Sequence, residues 1–143
     1  MIGIRIQRED FDVNAEIAAL REDGAGAVVT FSGIVRGEAD ALTLEHYPGM
    51  TEREIARHVA AAQSRWPLLG VTVIHRIGRL LPGENIVLVA ASSAHRAAAF
   101  EACAFLMDYL KTLAPFWKQE ERNGQTEWID ARASDDAALK KWR

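Results

Sequence analysis

Two lysines on either side of Pro115 are the residues of this sequence best suited to chemistry. Within residues 107–120, Lys111 precedes the proline and Lys118 follows it, with an aromatic pair between them. A proline cannot continue a helix and biases the preceding residue away from helical angles, which predicts Lys111 on a last helical turn and Lys118 on the extended chain beyond. The turn would bring two ammonium groups toward one region, as in a site that binds an anion. The alternative is that both are solvated surface charges, the usual state of lysine.

A second group of cations stands at the start of the same predicted helix. His95 and Arg96 fall in its first turn, where free backbone amides and the helix dipole favour an anion, and Arg36 stands at the end of a predicted strand. The alternative is a solvated Arg96 and a packed His95. The sixteen positions from His95 to Lys111 span ~24 Å of helix, so one small ligand cannot touch both within a chain. We hypothesise that two copies pack around a two-fold axis, so that His95 and Arg96 of one approach Lys111 and Lys118 of the other.

The remaining candidates for chemistry are weaker. His46 and His75 lie on predicted strand faces that are mostly apolar, which favours hydrogen-bonded structural roles. Cys103 falls within the long helix without an obvious activating partner. The sequence contains no glycine-rich phosphate loop, no nucleophile elbow and no Cys/His spacing typical of zinc. We therefore predict a protein without a metal site.

Composition limits the class of protein. With 143 residues, of which 49% are hydrophobic and 26% charged, residues 1–143 are expected to form one domain around a single core. The formal net charge of −3 argues against duplex nucleic acid as a partner, because binding to the phosphate backbone needs a broad basic face. The single cysteine excludes an internal disulfide, and no run reaches the ~20 apolar residues of a membrane span. We expect a cytoplasmic protein without membrane contact.

Hydrophobic periodicity and turn signals predict strands interspersed with helices. Strands are predicted at 2–6, 27–33, 41–47, 71–77 and 86–91, and a hairpin around Asn123-Gly124. Helices are predicted from the Asp12 cap to Leu20, from a capping box at Thr51–Glu54 to the residue before Pro67, from a Ser92-Ser93 cap through Leu113, and from a cap at residues 134–136 through Leu139. In the long helix, the predicted core stripe is Ala97, Phe100, Ala104, Met107 and Leu110. This mixture predicts an α+β single domain with a C-terminal β-hairpin.

Five motifs together resemble one known family, the large catalytic subunits of molybdopterin synthase, or MoaE family, over nearly the whole length. They are the segments at residues 26–36, 42–50, 73–78 (Val-Ile-His-Arg-Ile-Gly), 93–96 (Ser-Ala-His-Arg) and 107–118 (Met-Asp-Tyr-Leu-Lys-Thr-Leu-Ala-Pro-Phe-Trp-Lys). The resemblance implies an α/β-hammerhead-like fold and a central homodimer within a heterotetramer. Its other two members would be copies of a small ubiquitin-like sulfur carrier, whose Gly-Gly tail ends in a thiocarboxylate.

The resemblance also implies an activity. Such enzymes convert cyclic pyranopterin monophosphate, known as precursor Z, into molybdopterin by taking sulfur from the carrier's thiocarboxylate, without metal or organic cofactor. Carried over by motif, Lys111 and Lys118 become catalytic and substrate-binding residues. The other implied substrate-binding residues are Arg36, His95, Arg96, Gln119 and Glu120. One departure is Ile34, where family members often have a basic residue, and another is a shorter loop after Arg36.

Two other functions stay open from the residues alone. One is an inert scaffold that binds a carrier's tail by strand addition to the exposed hairpin edge. The other is a sensor of phosphate ligands at the start of the long helix.

Overall fold

The described residues form two four-stranded sheets and helices that pack mainly on one of them. The computed structural model describes residues 1–21, 24–129 and 133–142, and for 133–136 it describes the backbone only. In chain order the elements are β1 (Ile2–Gln7), α1 (Val13–Ala19), β2 (Ala27–Ile34), β3 (Ala41–His46), α2 (Met50–Arg65), β4 (Leu68–Arg76), β5 (Gly78–Leu80), β6 (Asn85–Ser93), α3 (Arg96–Thr112), β7 (Phe116–Arg122), β8 (Gln125–Ile129) and α4 (Ala133–Lys140). The predicted α+β class with a C-terminal hairpin is confirmed.

The first sheet, sheet A, carries the main core. Its strand order is β1-β4-β6-β2, with β1 parallel to β4 and the other pairs antiparallel. Strand β6 lies between β4 and β2, and its residues 87–93 are buried on both faces. Strand β4 is also buried on both faces, since residues 70–76 are all buried.

Helices α2 and α3 pack against sheet A, and the face that α3 buries differs from the predicted stripe. Phe105 and Leu106 are almost fully buried, whereas Phe100 is 59% exposed. The helix carries apolar residues on nearly every side, so hydrophobic periodicity was compatible with two different buried faces. Packing decides between them, because Phe105 makes edge-on ring contacts with Trp66 and Trp142.

The helix starts were predicted with mixed success. Asp12 caps α1 as expected, since its Oδ1 accepts from the backbone amides of residues 14 and 15. The predicted cap of α2 is wrong by two residues: Gly49 is the N-cap, and Glu52 accepts from its amide at 2.9 Å. Thr51 instead accepts from the Tyr47 amide and donates to the Pro115 carbonyl, both at 3.0 Å. Likewise Ser92 and Ser93 belong to β6, and His95 is the N-cap of α3.

The second sheet, sheet B, has the order β5-β3-β7-β8 and three antiparallel pairings. The hairpin turn between β7 and β8 is the predicted one, with positive φ of 51° at Asn123 and 78° at Gly124. Consecutive residues of β7 point to opposite faces, so Phe116, Lys118 and Glu120 share one side of the sheet.

The C-terminal segment packs on its own chain. Trp142 donates from its indole nitrogen to Asp108 of α3, and its ring contacts Trp66 and Phe105 edge-on. These contacts hold Trp142 against α2 and α3 of its own chain. The residues predicted to cap the final helix, 134–136, have side chains outside the described part of the structure. None of the helices among the described residues is long and apolar enough to cross a membrane.

Candidate active site

A cavity of about 610 Å³ opens where the end of β2, the C-terminal half of α3 and one face of sheet B meet. Both lysines singled out from the sequence line this cavity. Lys111 is the next-to-last residue of α3, and Lys118 is the third residue of β7. The structure therefore brings the two ammonium-bearing side chains to one cavity, as the sequence predicted.

The turn between the two lysines follows from local chemistry. Helix α3 ends at Thr112, and the backbone amides of Leu113 and Ala114 both donate to the Tyr109 carbonyl, at 2.8 and 3.1 Å. Pro115 then prevents further helical hydrogen bonding, and β7 starts at the next residue. Buried Thr51 holds this turn from α2 through its hydrogen bond to the Pro115 carbonyl.

Two further predicted residues, Arg36 and Glu120, also line the cavity. Arg36 lies just beyond β2 with 60% of its side chain exposed, 3.6 Å from a carboxylate oxygen of Glu38. Glu120 accepts from Arg122 at 2.8 Å. The wall thus carries arginine and lysine cations together with two carboxylates, which suits a substrate that has both a phosphate and neutral hydrogen-bonding groups.

Three predicted residues lie elsewhere. Gln119 is absent from the cavity wall, because strand alternation points it to the other face of sheet B, opposite Trp128 of β8. His95 and Arg96 are exposed at the opposite end of α3 from Lys111, ~24 Å away along the helix. The described part of one chain does not bring them to the lysines, as the helix length predicted. A substrate-binding role for all three stays a prediction.

One cavity residue was missed as a site candidate from the sequence. His75 was assigned a structural role, and it does make a buried hydrogen bond, from Nδ1 to the Arg76 carbonyl at 2.9 Å. It also lines the cavity, and its ring stacks on Phe116 with centroids 3.8 Å apart. Burial is the main cause that lowers the pKa of His75 to about 4, with smaller contributions from Lys118, Lys111 and His46. In the sequence, the one signal that could have marked His75 as a site residue was its position in the 73–78 motif.

The other potentially reactive groups lie away from the cavity. Cys103 is packed in the core, and burial raises the pKa of its thiol to about 11, which keeps it protonated and unreactive. Within the described residues, no cluster of three or more His, Cys, Asp or Glu side chains could hold a metal ion. The groups that the cavity offers to a reactant include amines, a guanidinium, carboxylates, hydroxyls and a neutral imidazole.

Fold and cavity together define a class: an α+β protein with a cationic, partly apolar cleft built by a helix end and the strand that follows it. Comparison with known proteins identifies the particular family. Residues 6–113 match the family model described as MoaE protein. The molybdopterin synthase catalytic subunit of Mesorhizobium japonicum is 60% identical over 147 residues, covering 98% of this chain and 92% of that protein. The corresponding subunit of Escherichia coli is 55% identical over 140 residues, with 94% and 93% covered.

Solved structures agree with these matches. The molybdopterin biosynthesis MoaE protein from Burkholderia ambifaria superposes with a TM-score of 0.88 at 53% identity, covering 99% of this chain and 98% of that one. The chain belongs to the MoaE family. Its function is that of an enzyme of molybdopterin synthesis, in molybdenum cofactor biosynthesis.

Proposed function

We propose that residues 1–143 form one catalytic domain that converts precursor Z to molybdopterin in the cavity between α3 and sheet B. The sulfur comes from the C-terminal thiocarboxylate of a small ubiquitin-like carrier subunit. The observation that carries this proposal is the presence of Lys111, Lys118 and Arg36 on the wall of one cavity. We also assign the protein to the cytoplasm, which cell fractionation tests.

The chemistry requires stabilisation of negative charge. Once the thiocarboxylate sulfur is bonded to the pterin as a thioester, water attacks the acyl carbon of the carrier's tail and forms a tetrahedral intermediate that bears an oxyanion. Collapse of this intermediate breaks the C–S bond, which leaves the sulfur on the pterin as a thiolate and the carrier's tail as a carboxylate. An ammonium group held in a partly desolvated cavity stabilises that oxyanion more than water does. Two lysines allow one to stabilise the oxyanion while the other contacts the phosphate or transfers a proton.

A second copy of the chain completes the site in this proposal. His95 and Arg96 of one protomer lie near Lys111 and Lys118 of its partner, since their own lysines are a helix length away. An exposed apolar surface supports such packing: Phe31 is 39%, Ile34 54% and Phe100 59% exposed. Strand β2, which bears two of these residues, pairs only with β6 among the described strands. The carrier subunits complete a heterotetramer around this homodimer.

The direct test mixes the purified protein with thiocarboxylated carrier and precursor Z, and follows molybdopterin by its fluorescent oxidation product. Formation that needs all three components is the expected result. Lys111→Ala and Lys118→Ala are each expected to abolish turnover with little change in melting temperature. Lys140→Ala is the matched control, because Lys140 is an exposed lysine on α4, outside the cavity wall. Carrier binding by the wild type without conversion of the pterin would support the scaffold alternative and overturn the proposal.

A mixing experiment tests the contribution of the second copy. Lys118→Ala and Arg96→Ala are co-expressed with different tags, so that protomers combine at random. If each site takes Lys118 from one protomer and Arg96 from its partner, half the dimers are mixed and each has one intact site, which restores about a quarter of wild-type activity. Both variants alone are inactive in this scheme. No recovery in the purified mixed dimer would place both residues in the same protomer's site.

A further inference from the structure

His75 is a buried ionisable residue of the cavity wall, with 5% of its surface exposed. A carbonyl oxygen can only accept a hydrogen bond, so the contact with the Arg76 carbonyl places a proton on Nδ1 and leaves Nε2 without one in the neutral ring. Its face lies on the Phe116 ring at a centroid distance of 3.8 Å and an interplanar angle of 19°. The hydrogen bond therefore limits rotation of the ring within its plane, and the stack limits movement perpendicular to that plane.

Phe116 is the residue through which this contact affects the site. It is the first residue of β7, directly after the turn at Pro115, and it lies on the same side of the strand as Lys118. Opposite it on β3 stands His46, whose Nε2 is 3.9 Å from Glu52. The His75–Phe116 stack holds the first residue of β7, two positions before Lys118. The hydroxyl of Thr51 holds the carbonyl of Pro115, the residue before Phe116.

We propose that His75 is a positioning residue for the sulfur-transfer reaction, whose ring clamps Phe116 and so holds Lys118 in place relative to Lys111. This inference rests on the function proposed above. A histidine suits the position because its ring stays uncharged beside two ammonium groups while its Nδ1–H donates to the buried Arg76 carbonyl. The effect expected from its loss is a misplaced lysine, which acts on the catalytic step more than on substrate binding.

A second buried and stacked histidine provides a matched control. His58 packs on Tyr109 with ring centroids 3.6 Å apart, in the seam between α2 and α3, and does not line the cavity. Replacing either histidine removes a buried ring and its stacking, so loss of stability is common to both. Loss of turnover is expected only for His75.

The experiment compares His75→Asn, His75→Phe and His58→Asn in the three-component assay, at a temperature well below each melting temperature. His75→Asn removes the stacked ring, and we expect kcat to fall about tenfold or more while KM for precursor Z changes less than about threefold. His75→Phe keeps a ring that can stack, and we expect kcat within about threefold of wild type, despite a lower stability from the unpaired carbonyl. His58→Asn should melt lower with kcat unchanged.

Two outcomes overturn the proposal. A folded His75→Asn enzyme with wild-type kcat shows that the ring only fills space, and a His75→Phe enzyme as slow as His75→Asn shows that the nitrogens rather than the stack matter. If His75→Asn does not fold, the stack is tested by changing Phe116 instead. Phe116→Tyr keeps a ring and is expected to retain kcat, whereas Phe116→Leu removes the ring and is expected to lose it. An inactive wild type would instead refute the proposed function, independently of the histidine variants.

Discussion

The free energy of unfolding is expected to depend on pH through His75. Its pKa is lowered from the ordinary 6.5 to about 4, chiefly by burial. Between these two values the unfolded chain binds a proton that the folded chain does not, so stability falls as pH decreases through this window. Above pH 6.5 both states are neutral at this residue and the effect disappears.

The magnitude follows from the two pKa values. Going from pH 8 to pH 5, His75 should remove about 2 kcal/mol from the free energy of unfolding, approaching about 3 kcal/mol below pH 4. For a chain of this length, 2 kcal/mol corresponds to a drop of about 7 °C in melting temperature. The quantity to measure is the difference between wild type and His75→Phe, because the other titrating groups contribute to both proteins.

The assay is chemical denaturation at pH 5 and pH 8, at one protein concentration, for wild type and His75→Phe. The variant should lose about 2 kcal/mol less than the wild type on acidification. His58 provides a comparison, since burial also lowers its pKa, and its contribution should persist in the His75→Phe protein. Equal losses in the two proteins, within about 0.5 kcal/mol, would refute a buried neutral His75.

Three other expectations are independent of this titration. Cys103 should react with a thiol reagent at pH 8 only on unfolding, because it is buried and its pKa is about 11; rapid labelling of the native protein would contradict this. Thr51→Val removes the donor to the Pro115 carbonyl and the acceptor for the Tyr47 amide, and should cost about 1–3 kcal/mol by urea denaturation, with Thr51→Ser restoring most of it. Trp142→Ala should lower stability by about 2–4 kcal/mol through loss of its ring contacts and its bond to Asp108; an unchanged urea midpoint would show that the tail is not anchored in solution.

Short-range signals predicted the local structure around the site. Pro115 ended α3 where expected, Asn123-Gly124 made the hairpin turn, and Asp12 capped its helix, because each depends on backbone angles or hydrogen bonds within a few residues. These signals were sufficient to predict that Lys111 and Lys118 lie close to one region, and both line one cavity.

Features that depend on tertiary packing were not predictable in the same way. Helix α3 has apolar residues on two faces, and only the contact of Phe105 with two tryptophans shows which face is inside. Thr51 has the spacing of a capping residue but bonds a carbonyl that is 64 positions further along the chain. His75 has an apolar neighbourhood in sequence, and its cavity position arises only when Phe116 of sheet B packs on it.

The length of α3 has a consequence for the proposed homodimer. The helix is continuous from Arg96 to Thr112, so Arg96 and Lys111 of one chain are held ~22 Å apart. If Arg96 serves the partner's cavity, each α3 contributes its C-terminal end to one site and its N-terminal end to the other. The two sites must then lie about one helix length apart, with the exposed Phe100 between the two ends of the helix and near the contact between protomers. A charged residue there, as in Phe100→Glu, should dissociate the dimer and remove activity while Lys111 and Lys118 stay in place; a Phe100→Glu protein that remains dimeric and active would refute this arrangement.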